Sequence, residues 1–143
     1  MPILTRAVQL AAKPFPRAIS PKAHAIIDYA LVGSFFFSAV WFWRHSKRAA
    51  IAALIGGVAE LAVNLLSNYP GGAMKVIDFR THRDIDFGLG AMTATMPEFL
   101  AFKDEDENKF FLAQAAMITA VSQLTKFPDK AVSRERERTG GIT

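Results

Sequence analysis

Two stretches of this 143-residue chain match one another without a gap, and that internal match constrains the fold more than any other feature. His24 and His82 stand 58 residues apart, as do Asp28 and Asp86, inside the strings KAHAIIDYAL and RTHRDIDFGL. The same spacing relates Ile27 to Ile85, Leu31 to Leu89, Leu54 to Leu112, Ala62 to Ala120 and Val63 to Val121. It also relates Leu66 to Leu124 and Pro70 to Pro128, within LLSNYP and QLTKFP. One offset that matches both ends of a fifty-residue unit reads as a tandem duplication. The units run from 21 to 70 and from 79 to 128.

Each unit holds two apolar blocks. Residues 24–43, HAIIDYALVGSFFFSAVWFW, would extend about 30 Å as a helix, the thickness of a bilayer's hydrocarbon core. Trp41 and Trp43 then fall at an interface, followed by Arg44, His45, Lys47 and Arg48. Residues 49–66 form a second block, rich in Ala and Gly and broken by Glu60 and Asn64. SNYPGG at 67–72 is turn chemistry. A third block covers 82–102 and a fourth 110–125, separated by KDEDENK at 103–109. The mean hydropathy of +0.19 averages these blocks with charged ends. The expected fold is therefore all-α: a four-transmembrane-helix bundle of two tandem, parallel two-helix repeats.

Two spans per unit bring both copies into the membrane from the same side, related by an axis along its normal. The flank formed by the N-terminal arm, the central connection and the C-terminal tail carries 12 of the 17 Lys and Arg. Both termini are accordingly expected on the cytoplasmic side of a bacterial inner membrane. Residues 1–20 are a basic arm, in which 3–12 read either as an interfacial amphipathic helix or as a poorly ordered segment. Residues 129–143 are a charged, flexible tail. These ends favour anionic lipid headgroups. Nucleic acid is not expected as a partner, because the tail alternates Arg with Glu and lacks aromatics. The absence of cysteine excludes disulfides, cysteine-held zinc or iron–sulfur sites and a cysteine nucleophile.

This layout resembles the SPW-repeat family of small bacterial membrane proteins, whose unit is a transmembrane helix pair with Ser-Pro-Trp in its first helix. The corresponding stretches here read Ser38-Ala39-Val40-Trp41 and Thr95-Met96-Pro97-Glu98-Phe99, so neither keeps the whole tripeptide. The resemblance covers 21–128. It implies an integral membrane protein of unassigned biochemical role and brings no catalytic residues with it.

The chemistry lies in six polar side chains: His24, Asp28, Glu60, Asn64, His82 and Asp86. His24 and Asp28 share a helix face, and His82 and Asp86 repeat the arrangement. Both aspartates lie about 6 Å, Asn64 about 3 Å and Glu60 about 9 Å inside the same boundary. A carboxylate deep in a bilayer costs about 2.5–3.5 kcal/mol on insertion scales and so faces a partner, not lipid. The leading expectation is structural: His24 pairs with Asp28, His82 with Asp86, and Glu60 is protonated or hydrogen-bonded to Asn64 or its neighbours, in an accessory membrane protein. Such a protein would be a homo-oligomer or sit beside another membrane component, without catalytic residues or a required cofactor.

Three other readings stay open. His24, His82, Asp28 and Asp86 suit a divalent metal, for transport or sensing. Glu60 suits a proton or ion path. A haem-carrying oxidoreductase subunit would use His24 and His82 as axial ligands. A soluble four-helix bundle is the rival fold, and it predicts a polar stripe along every helix. Phe35, Phe36 and Phe37 read as packing or lipid-facing groups, Pro97 as a kink or a helix exit, and Glu98 as solvated. KDEDENK reads as a solvated loop, with a cation-attracting vestibule as its sharper alternative.

Overall fold

The computed structural model describes residues 17–126. The segment 3–12, residues 127–128 and the tail lie outside the described residues. Among the described residues four helices follow in order: α1 (Pro21–Phe42), α2 (Lys47–Leu66), α3 (Phe79–Phe99) and α4 (Asn108–Leu124). The all-α expectation holds. Helix starts precede the apolar blocks because polar caps set them. The Ser20 hydroxyl accepts from the Ala23 amide at 3.2 Å, with Pro21 in the first turn, where its missing N–H costs nothing. Ser46 caps α2 through Ala49 N, and Asp78 caps α3 through Thr81 N. Pro97 stands in the last turn of α3, which ends two residues later, so it marks the exit. Ala101, at φ 57°, reverses the chain there, and Glu98 is exposed beside Lys103, at 3.4 Å.

The helices form a closed ring. α1 packs mainly on α2 and α3 on α4, while α2 meets α3 and α4 meets α1. Phe35, fully buried, fills the space left by Gly56 and Gly57. Around it lie Leu31, Ala49, Ala52, Ala53, Met96, Phe102, Phe111 and Ile118. Short backbone bridges lock the ring at one end. Ile77 N donates to Leu66 O at 2.8 Å and Asn68 N to Ile77 O at 2.6 Å. Ile19 N donates to Leu124 O at 3.0 Å and Lys126 N to Ile19 O at 2.8 Å. Both bridges precede a cap by one residue, so they fix where α1 and α3 begin.

The outside of the first helix pair is apolar. Ile26, Phe37, Val40, Trp41, Ile51, Leu54, Ile55 and Val58 are exposed. Among the described residues two helices, α1 and α2, are long and apolar enough to cross a membrane. Helices α3 and α4 do not meet that measure of length and hydropathy. α3 opens with Arg80, Arg83, Asp84 and Asp86 in its first turns, and α4 has 17 residues.

Candidate functional site

The ring brings the first turns of α1 and α3 together with the last turns of α2 and α4. His24 and His82 are each the fourth residue of their helix, and Asp28 and Asp86 follow one turn later. All four are buried, with exposures of 0–2%. Each histidine reaches both aspartates. His24 Nε2 lies 3.2 Å from Asp28 Oδ2 and 3.4 Å from Asp86 Oδ2. His82 Nε2 lies 3.1 Å from Asp86 Oδ2 and 3.3 Å from Asp28 Oδ2. The pairs expected within each helix are present, and the ring joins them into one four-membered centre. Local spacing could not reveal the two cross-helix contacts.

Two hydroxyls determine which face the imidazoles present. Ser67 Oγ donates to Val63 O at 2.5 Å and lies 2.6 Å from His82 Nδ1. Thr125 Oγ1 donates to Val121 O at 2.5 Å and lies 2.6 Å from His24 Nδ1. A hydroxyl has one hydrogen, and here the carbonyl takes it. Each Nδ1 must therefore carry the proton and donate it to the hydroxyl oxygen. Both Nε2 atoms are thereby turned toward the carboxylates.

Two more hydroxyls serve the aspartates. Tyr69 donates to Asp28 Oδ2 at 3.0 Å, and Ser122 to Asp86 Oδ2 at 2.9 Å. The rings of Tyr69 and Phe79 close over the histidines, with centroids 4.7 and 5.8 Å from His82. Tyr69 lies between helices, and burial pushes its phenol well above the usual range, with the Asp28 carboxylate adding to the effect. The sequence reading missed Ser67, Tyr69, Phe79, Ser122 and Thr125. Ser67 and Thr125 do obey the 58-residue spacing, as do Asn64 and Ser122, and that spacing was the available signal.

Glu60 and Asn64 face inward on α2, exposed by 1% and 0%. Glu60 Oε1 and both polar atoms of Asn64 have no protein hydrogen-bond partner among the described residues, so the two side chains are not bonded to each other through these atoms. One helix turn separates them, and both side chains are buried within the ring.

The donor set can hold a metal ion. One ligand atom from each of His24, Asp28, His82 and Asp86 lies within 4.8 Å of the other three. Neighbouring nitrogen and oxygen ligands of an ion bound at about 2.0–2.2 Å are themselves about 3.0–3.5 Å apart, which is the spacing of the four Nε2–Oδ2 pairs here. Protonated Nδ1 atoms held by hydroxyls are the outer-shell arrangement that metal-bound histidines require. Comparisons of the chain with known protein families, with characterised proteins and with solved structures find no match.

Proposed function

We propose that this chain is a four-span integral membrane protein, built as two tandem helix pairs, that binds one divalent metal ion at His24, Asp28, His82 and Asp86. The observation that carries the reading is the convergence of two Nε2 atoms and two carboxylate oxygens, with both Nδ1 protons committed to hydroxyls. Two neutral imidazoles and two carboxylates carry a charge of −2, which a divalent ion cancels. That balance suits a low-dielectric interior, where an unmatched charge is costly. Nitrogen and oxygen donors favour ions of the zinc, iron, cobalt and manganese group.

Membrane insertion of all four helices is supported by the apolar exterior of α1 and α2, by the tandem spacing and by the resemblance to SPW-repeat proteins. In the inner membrane, with both termini cytoplasmic, the centre would lie in the cytoplasmic half beneath Tyr69. The role is that of a non-enzymatic accessory, acting in metal binding or sensing, alone or as a homo-oligomer. The haem reading draws less support, since both Nε2 atoms already face carboxylates.

Protein purified in detergent without chelator is expected to contain about one transition-metal ion per chain by elemental analysis. His24→Ala/His82→Ala is expected to lose it. Absence of bound metal, with melting unchanged by chelator or added zinc, would leave the four residues as a charge-balanced clasp between α1 and α3.

A further inference from the structure

Glu60 and Asn64 have no part in the four-residue centre, yet they are buried beside it. Glu60 interacts electrostatically with Asp86, Asp28, His82 and His24 together. The positions 58 residues later on α4 are Ile118 and Ser122. Ile118 packs in the apolar core, and Ser122 is satisfied by Asp86. The two sides of the centre therefore differ. Ser122 on the α4 side has its partner in Asp86, whereas the α2 side presents one carboxyl oxygen and a whole carboxamide without a protein partner, beside an Asp86 Oδ1 that also lacks one. Buried polar groups in native proteins are otherwise satisfied, and such an exception points to a bound water or ion.

The chemistry of the pair selects the occupant. A carboxamide both donates and accepts, and a carboxyl one turn away adds a further hydrogen-bonding oxygen. A second cation would be repelled by an ion bound at the four-residue centre and would leave the N–H₂ of Asn64 without an acceptor. An anion would meet the carboxyls of Glu60, Asp28 and Asp86. Water satisfies all of these groups at once.

We infer that Glu60 and Asn64 hold a water molecule as an additional, exchangeable ligand on the ion bound by His24, Asp28, His82 and Asp86. This rests on the metal-binding reading above. It makes the centre an open site, of the kind in which protein ligands leave one position to water, and not a closed structural one. The ion supplies Lewis acidity to that water, and the α2 pair orients it.

The full chain in detergent micelles, loaded with copper(II) and exchanged into D₂O, provides the test by pulsed electron paramagnetic resonance. Wild type is expected to give the deuterium coupling of a directly bound water. Glu60→Gln, which keeps a hydrogen-bonding group, retains it. Glu60→Leu/Asn64→Leu loses it while still binding one copper per chain. Copper bound to wild type without that coupling, or a double variant that keeps it in full, overturns the inference alone. A chain that takes up no copper, seen as an absent signal, overturns the metal reading and this inference with it. Should the double variant not fold, the wild-type spectrum decides.

Discussion

The Nδ1 atom of His82 lies 2.6 Å from Oγ of Ser67, so a histidine of the second helix pair is oriented by a hydroxyl that closes the first. Thr125 does the reverse for His24, also at 2.6 Å. Loss of such outer-shell partners commonly lowers metal affinity about 10- to 100-fold. Ser67→Ala and Thr125→Val are each expected to do so in a competition titration against a chromophoric chelator. Ser67→Thr should stay near wild type.

Removing one carboxylate leaves the facing imidazoles without their counter-charge in a buried site. Asp28→Asn and Asp86→Asn are each expected to destabilise the metal-free protein by about 3–5 kcal/mol, measured by denaturant titration in micelles. Replacing all four centre residues by leucine should recover most of that loss and abolish metal uptake, because a well-packed apolar cluster needs no charge balance.

Tyr69 gives the protein an alkaline limit. Its folded-state ionisation is raised by burial and by Asp28, above an unfolded value of about 10. The stabilisation is therefore complete below pH of about 10 and is lost as pH rises beyond it. Phenolate absorbance from Tyr69 is expected only with unfolding. Tyr69→Phe should be less stable at neutral pH by about 1–3 kcal/mol, having left Asp28 Oδ2 short of a donor, and the gap should close above pH of about 10.

Three glycines predict opposite outcomes on substitution. A Cβ on Gly72 would lie 1.6 Å from the Ser67 carbonyl oxygen, so Gly72→Ala must rebuild the loop that aims Ser67 at His82. On Gly56 it would lie 2.7 Å from the Phe35 ring, which is fully buried and cannot swing away. Gly56→Ala is expected to cost about 1–3 kcal/mol and Gly72→Ala at least as much. Gly33, with nothing near its Cβ position, sits in a helix interior, and Gly33→Ala should stabilise by about 0.5–1 kcal/mol. Thermal melts of the three variants check the ranking.

Cysteine is absent from the chain, so single introduced cysteines report topology without background. Met74→Cys lies in the α2–α3 connection and Asp104→Cys in the α3–α4 connection. A membrane-impermeant maleimide added to intact cells is expected to label Asp104→Cys and to spare Met74→Cys until the membrane is opened. Labelling of both, or of neither, would mean that α3 does not cross.

Helix number and the His–Asp pairs were legible because they depend on short-range relations: apolar block length, and residues four apart sharing a face. Glu60 and Asn64 satisfy the same spacing yet are not bonded to each other through Glu60 Oε1 or either polar atom of Asn64, so a shared face does not by itself make a bond. Block ends were misplaced by a few residues where Ser46 and Asp78 start helices ahead of the apolar pattern. Membrane-like composition is strong in α1 and α2 and weaker in α3, with its charged first turns, and in the shorter α4.

By itself, the amino-acid order determined four helices, a 58-residue correspondence and two local acid–histidine pairs, all of which follow from backbone geometry acting over a few residues. Only the tertiary structure decided that the two pairs meet. The contacts of His24 with Asp86 and of His82 with Asp28, like the hydroxyls of Thr125 and Ser67 behind the imidazoles, depend on how the ring of helices closes. That closure is a sum of weak packing and bridge contacts between residues far apart in the chain, and no local pattern encodes the distance it sets.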